Sequence, residues 1–210
     1  MSLEAFIPSY PIPKRIETNR LVLRAFDLKD AEEYYDLEQE GLNLHMAQFL
    51  PGTPNQGLRA DGIHEMREKI RTTNDRWEDD LEYRFLIRER GKETIIGQIG
   101  ITSIIRNVAQ SAFIGYWIGH HWLGQGYATE ATAAVLGFAF AKVKLHRISI
   151  WIAPENTASL RVVEKLDLRF EGTALRALYQ GGNWTDTHIF AITSEEWQKH
   201  KKDELQKFYL

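Results

Sequence analysis

Leu123, Gly124, Gln125, Gly126, Tyr127, Ala128 and Thr129 stand where a helical run begins, and together they suit one piece of chemistry. A helix start leaves its first N–H groups unpaired and carries partial positive charge, so it can receive an anion such as a phosphate. Glycine removes the Cβ atoms that would hold a phosphate away from the main chain. No Gly-Lys-Ser/Thr follows, so the segment is not a P-loop, and Thr129 and Glu130 break any G-x-G-x-x-G pattern. A plain glycine turn ahead of a core helix is the competing reading. The adjacent pair His120-His121 makes a poor metal site, because neighbouring strand residues point to opposite faces.

The elements around this loop follow from periodicity and turn chemistry. Residues 1–15, with Pro8, Pro11 and Pro13, read as an extended arm, and residues 20–26 alternate as a strand. Residues 27–40 predict a helix capped by Asp27, residues 41–59 a proline-rich loop, and residues 60–77 a polar helix. A hairpin turning at Gly91-Lys92 comes next, then a further strand over 111–119 in which Gly115 marks a bulge or a close approach. Residues 128–145 read as a core helix carrying Val135, Leu136, Phe138 and Val143. A buried strand over 147–153, a helix over 155–168, and strands over 170–178 and 185–193 about Gly181-Gly182 complete the sheet. Thr193 and Glu196 form a capping box that opens a closing helix. The expected order is β-α-α-β-β-β-α-β-α-β-β, a mixed α/β single domain.

Composition bounds the rest. The chain of 210 residues is 43% hydrophobic and 26% charged, ordinary values for a globular protein. With no cysteine there is no disulfide, no thiolate metal site and no thiol nucleophile. A net charge of −3 gives no reason to expect nucleic-acid binding. The absence of a long apolar run and of a signal-peptide pattern leads us to expect a cytoplasmic protein without membrane partners.

The stretches "IGYWIGHHWLGQGYATEA" and "RISIWIAPENTASLRVVEKLDLRFEG" resemble the GNAT acetyltransferases, in particular the RimJ/RimL branch that acetylates protein N-termini. The resemblance runs from about residue 17 to residue 193 and includes element order. It implies a GNAT fold whose mixed central sheet splays between the fourth and fifth strands, with residues 16–194 as the acetyltransferase domain and 195–210 as a C-terminal helix. It also implies acetyl-CoA as co-substrate, with no metal, and an amine acceptor such as a ribosomal or other protein N-terminus; a small amine (an aminoglycoside or polyamine) as acceptor and a degenerate acyl-CoA-binding module are the alternatives. The state expected is a monomer or homodimer.

Residue by residue, the family's Gln/Arg-x-x-Gly-x-Gly/Ala loop falls on residues 123–128 and would cradle the pyrophosphate. Gly126 and Ala128 fill its small positions, and Leu123 replaces its polar first residue. Main-chain groups of Trp117, Ile118 and Gly119 would pair with the pantetheine arm, while Tyr116 and the Trp117 side chain read as packing. Asn156 and Ser159 match the family's Asn-x-x-Ser, where the serine hydroxyl would assist the departing thiolate. Asn156 reads equally as an N-cap and Ser159 as a surface hydroxyl. Asp186 would bind or orient the amine, or serve as a buried partner for backbone or arginine. Tyr179 and His188 are weaker candidates. Arg161 and Lys165 could meet phosphates or form a solvated face. Phe113 and Leu178 stand where relatives carry acids, so no dedicated base is evident.

Overall fold

The computed structural model describes Pro8 and residues 11–41, 60–180 and 183–200. Eight strands form one sheet in the order β1-β2-β3-β4-β5-β6-β8-β7. The first two strands are β1 (Arg15–Glu17) and β2 (Leu21–Ala25), antiparallel and joined by a turn in which Thr18 N–H donates to the Leu21 carbonyl at 2.9 Å. Alternation marks residues 20–26 as one strand, but three residues are too few to show a period, so β1 emerges only through pairing. Ile12 is buried in the main core, and the Lys14 carbonyl accepts from Ala25 N–H at 2.9 Å.

Asp27 caps as expected, but it caps a short 3-10 turn at Leu28–Asp30, and α1 (Ala31–Gly41) begins only after it. Asp30 accepts in return from Asp27 N–H at 2.9 Å, and its two carboxylate oxygens lie 2.7 and 2.8 Å from one guanidinium nitrogen of Arg24. The second helix, α2 (Ile63–Glu78), buries Met66, Ile70, Thr73 and Trp77, a three-to-four spacing that makes one inward stripe. The predicted loop at 41–59 lies, beyond Gly41, outside the described residues.

The expected meander follows as β3 (Tyr83–Glu89), β4 (Ile95–Ile105) and β5 (Ser111–Ile118). A parallel neighbour requires a crossover, and α3 (Tyr127–Ala141) supplies it, leading to β6 (Arg147–Ile152). This helix is apolar almost all round and is accordingly buried on most sides. It stops at Ala141 rather than running to 145, since Lys144 takes a left-handed φ of 60° and Val143 and Leu145 enter the core from a turn. The chain continues through α4 (Thr157–Lys165), β7 (Arg169–Gln180), β8 (Asn183–Thr193) and α5 (Ser194–His200). The Thr193–Glu196 capping box forms, with reciprocal contacts of 2.8 and 3.3 Å. The turn at Gly181-Gly182 and the end of the closing helix lie outside the described residues.

Two apolar layers cover the sheet. The larger packs α3, α4 and α5 against one face through residues such as Val135, Leu136, Phe138, Val163 and Trp197. The smaller packs α1 and α2 on the other through Phe26, Tyr34, Leu37, Met66, Ile70 and Leu86. The fold is a mixed α/β sandwich, and its one irregularity of consequence lies in the middle of the sheet. The parallel strands β5 and β6 pair only through Ser111, Ala112 and Phe113 with Arg147, Ile148 and Ser149. Beyond Phe113 they part, as the resemblance implies. With β1 counted, the splay falls between the fifth and sixth strands.

Candidate functional site

The parting of β5 and β6 opens a wedge with main-chain groups along its walls. In an antiparallel ladder, N–H and C=O groups point alternately towards and away from the partner. Gly119 N–H donates to the Ile96 carbonyl at 2.8 Å, so Gly119 and, by alternation, Trp117 are committed to β4. The groups turned into the wedge belong to Ile118, Tyr116 and Ile114. Of the three residues expected to offer main chain, Ile118 is the one whose main chain turns away from β4.

Of the two readings of Gly115, the register removes one. Residues 113–118 pair with 97–102 without interruption, and the irregularity in this ladder lies between Thr102 and Ile105. A Cβ at Gly115 would meet nothing within 4 Å. The glycine therefore forms no bulge, and bare backbone is left facing open space.

At the wide end of the wedge lies the glycine loop. Gly124 and Gly126 have φ of 75° and 79°, left-handed values that disfavour any side chain. Gly126 is the N-cap of α3, and its carbonyl accepts the first helical hydrogen bond, from Glu130 N–H at 3.1 Å. The N–H groups of Tyr127, Ala128 and Thr129 precede that bond and point out of the helix end. Leu123 is exposed beside them, and the Gln125 amide donates to the His121 carbonyl at 3.3 Å.

This loop is held by groups that periodicity does not reveal. Glu130, 2% exposed, accepts from the Thr18 hydroxyl at 2.6 Å, from Arg20 N–H at 2.9 Å and from Arg20 Nε at 2.6 Å. Arg20 also donates to the Gln125 carbonyl at 3.0 Å and lies 4.8 Å from the centre of the Tyr127 ring. Tyr127 in turn donates to Glu89 at 2.7 Å, and the hydrogen bond from Lys92, together with that contact, holds the Glu89 carboxyl below its usual range. The available signal was Glu130 itself, an acid among alanines in the first turn of a core helix.

The second helix mouth lies on the same side. Asn156 caps α4, its Oδ1 accepting from Ser159 N–H at 3.1 Å. Thr157 N–H is taken by Glu155, which leaves Ala158 N–H at the helix mouth. One group on β5 has a sequence context that suggests only packing. The Tyr116 hydroxyl is buried without a hydrogen bond among the described residues. Burial pushes this phenol up to about 12, and the hydroxyl of Ser159 draws it back.

Other candidates stand elsewhere. Asp186 accepts from the main-chain N–H of Arg176 at 2.8 Å, and Arg176 has a left-handed φ of 49° in an irregular part of the β7–β8 ladder. Its carboxylate thus holds the hairpin. His188 contacts Thr173 at 2.9 Å, Tyr179 packs on Trp184, and Arg161 and Lys165 are exposed. Phe113 meets Trp151 edge to face at 5.2 Å, an aromatic pair at the apex of the wedge. His120 and His121 lie in a 3-10 turn rather than a strand, so strand alternation does not govern them. No group of three metal-ligating side chains occurs among the described residues.

One acid escaped the sequence reading. Glu38 on α1 is buried against the sheet face opposite α3, and its Oε1 accepts from Lys69 at 2.6 Å and from Tyr34 at 3.3 Å. Its Oε2 is buried without a hydrogen bond among the described residues. The single Tyr34 hydroxyl proton is shared between Glu38 and the closer Gln98 oxygen, and the ring stacks on Trp117 at 6.0 Å. The visible cue was a charge on the stripe formed by Tyr34, Leu37 and Gly41.

A wedge between parallel strands, with two helix mouths beside it, defines a protein that can hold an extended, anionic ligand in its sheet. The chain belongs to the GNAT acetyltransferases, the family that moves an acetyl group from acetyl-CoA to an amine, since the family model for the acetyltransferase (GNAT) domain matches residues 20–169. It is 34% identical over 179 residues to a probable N-acetyltransferase of Bacillus subtilis, YjcK, covering 84% of this chain and 95% of that protein. It is 26% identical to the Escherichia coli [ribosomal protein uS5]-alanine N-acetyltransferase, over 89% of this chain and 94% of that one. Among solved structures, Mycobacterium smegmatis RimJ in complex with CoA-disulfide superimposes with a TM-score of 0.85 at 26% identity, over 97% and 99% of the two chains. Among the described residues no helix is long and apolar enough to cross a membrane.

Proposed function

We propose that this protein acetylates an N-terminal α-amine of a protein by direct attack on acetyl-CoA. The observation that carries the reading is the wedge, bordered by the helix mouths of α3 and α4, in a chain without cysteine. In this reading the pyrophosphate lies on the N–H groups of the loop at 124–129. The pantetheine arm extends β5 as a pseudo-strand through Ile118 and Tyr116. Asn156 fixes the first turn of α4, and Ser159 offers its hydroxyl to the sulfur. The face carrying α3 and α4 is filled by the main core, so the amine reaches the thioester from the face of α1 and α2. The bare backbone of Gly115 keeps that approach clear. Asp186 takes part in orienting the amine only if its carboxylate serves the hairpin and the ligand together.

The reaction joins the amine nitrogen to the carbonyl carbon and breaks the carbon–sulfur bond. The sulfur leaves with the electron pair and gains a proton, and the nitrogen loses one. A free thiol has a pKa of ~8.5, so a hydroxyl is donor enough for the leaving group. Deprotonation of the amine is the harder demand, because Phe113 and Leu178 supply no acid. An α-amine with a pKa of ~8 is about one-tenth neutral at pH 7, a cost of about 1.4 kcal/mol, whereas a lysine at ~10.4 costs about 4.6 kcal/mol. An N-terminal acceptor therefore fits these residues better than a lysine side chain or a polyamine. The relatives that act on ribosomal-protein alanine, by their names, support the same acceptor class.

The test compares peptides with free and blocked N-termini, each containing one lysine, by release of coenzyme A thiol between about pH 6 and 9.5. We expect kcat/KM for the free peptide to rise along the titration of its amine, at ~7.7–8.0. Efficient acetylation of the blocked peptide at pH 7 would overturn the acceptor assignment. Acetyl-CoA binding without turnover on peptides, polyamines or aminoglycosides would instead make the protein an acyl-CoA-binding module.

A further inference from the structure

Glu38 is built into the face of α1 and α2 with half of its carboxylate unused. The residue is 5% exposed, and its Oε1 is occupied by Lys69 of α2 at 2.6 Å and by the Tyr34 hydroxyl at 3.3 Å. Oε2 is buried without a hydrogen bond among the described residues. A carboxylate oxygen shut away from water is destabilised there until a donor reaches it. The ion pair with Lys69 explains the buried charge, but not the second oxygen.

Register says what lies beside it. The Tyr34 hydroxyl stands between Oε1 and the Gln98 side chain, so the carboxylate is one hydroxyl away from the Gln98–Trp117 pair of β4 and β5. Side chains recur on one face every second residue, so the next pair on this face is Gly100 with Gly115, about 7 Å along the strands. Both are bare. Arg84 lies across Gly100, where an added Cβ would come within 2.8 Å of its Cγ, and Glu82 engages its guanidinium at 3.1 Å. At Gly115, beside the wedge, an added Cβ would meet nothing within 4 Å. The glycine floor is thus covered on the β3 side and open on the side of the wedge, with the carboxylate of Glu38 at its border.

We propose that Glu38 is a catalytic residue of the acceptor site: Oε2 accepts an N–H of the attacking amine over Gly115 and balances the positive charge that the nitrogen gains as the carbon–nitrogen bond forms. The inference rests on the functional reading given above. The amine lone pair goes to the carbonyl carbon and the carbon–sulfur bond breaks. Sulfur leaves with that bond's electron pair and takes a proton, and the nitrogen releases one to solvent. Charge appears on nitrogen during the attack, so a fixed carboxylate favours the transition state over the neutral amine that precedes it. Lys69 and Tyr34 hold Oε1 and thereby fix Oε2.

Complexes with coenzyme A in place of acetyl-CoA allow acceptor binding to be read without turnover. Calorimetry at pH 7 compares two peptides that differ only in an α-amine or an α-hydroxyl at the N-terminus. We expect the wild type to favour the amine about tenfold, the weight of one charge-assisted hydrogen bond. Glu38→Gln keeps an oxygen for Lys69 and Tyr34 but puts an amide NH2, a donor, where Oε2 accepted. It should weaken binding of the amine peptide about tenfold and leave the hydroxyl peptide within about twofold. In turnover, kcat/KM for the amine should fall about tenfold, with KM for acetyl-CoA within about twofold. If Glu38→Gln does not fold, Glu38→Met combined with Lys69→Met replaces the ion pair by an apolar pair, and the preference for the amine should vanish there too.

An equal loss for both peptides, or no loss for either, assigns Glu38 to structure and overturns the inference alone. Wild-type protein that binds no coenzyme A, or that acetylates no peptide, overturns the functional reading and this inference with it.

Discussion

The two sides of the wedge are built differently. Around the glycine loop, charged and polar groups are paired: Glu130 accepts from three donors, and Arg20 spans strand, loop and helix. On the face of α1 and α2, apolar packing dominates, yet Glu38 keeps a buried oxygen without a hydrogen bond. A satisfied network in a low-dielectric setting fixes one geometry, whereas an unsatisfied polar atom is a cost that a ligand or water can relieve. The contrast teaches how the labour divides in this reading. A pyrophosphate is the same in every turnover and rewards a rigid cradle, while the acceptor comes and goes.

Removing the main tie of the rigid side should have the largest effect. Glu130→Ala strands the Arg20 N–H and removes the short acceptor of the Thr18 hydroxyl, and we expect about 3 kcal/mol of lost stability by urea unfolding. Acetyl-CoA affinity by calorimetry should fall as well, because the α3 N-terminus loses its anchor to β2. A variant as stable as the parent would show that the network is ornamental and would break the comparison. Substitution at Gly126 is a poorer probe of the cradle, since its left-handed φ adds backbone strain to any steric effect.

The opposite side is sharpened by Glu38→Gln. We expect kcat/KM for the amine to fall about tenfold with acetyl-CoA affinity unchanged, the pattern of a group that handles the acceptor's proton or charge. The check is steady-state kinetics with each substrate varied in turn. Equal kinetics with lower stability would make Glu38 a structural partner of Lys69, and any base would have to be sought elsewhere, first at Asp186.

The smallest effect is expected at the far wall. Arg147 on β6 pairs with Glu171 on β7, and this hydrogen bonding, aided by Arg169, lowers the Glu171 carboxyl to about 2. A lowered pKa means that the stabilisation is complete above the unfolded value of ~4.3 and is lost as pH falls from there towards the folded value. Being partly solvated, the pair should contribute about 0.5–1 kcal/mol at neutral pH. Glu171→Gln should lower Tm slightly at pH 7, and the gap from the parent should close as pH falls from about 4.5 towards 2. A gap that stays constant with pH would assign the effect to packing.

Local features are legible in the amino-acid order. Gly124 and Gly126 announce left-handed backbone, Asp27 and Thr193 announce caps, and the alternation in β3, β4 and β5 announces a meander, because each rests on neighbours a few residues away. The 3-10 turn after Asp27 and the early end of α3 are not legible there, since caps and tertiary packing shift boundaries that propensity leaves loose. Residues outside local patterns are harder still. Arg20 and Glu130 can each be placed on an element, but their meeting cannot.

The sequence by itself determined the family, the order of most elements, the glycine loop and the Asn156 cap, because spacing and backbone preference are properties of short segments. Tertiary structure alone decided that β5 and β6 part after Phe113, that Gly119 is committed to β4 while Ile118 faces the wedge, and that Asp186 holds a hairpin. It alone joined Arg20 to Glu130 across 110 residues. The physical reason is that a hydrogen bond or a burial cost depends on which groups folding brings within a few ångströms, and a side chain's periodicity records only which face it takes.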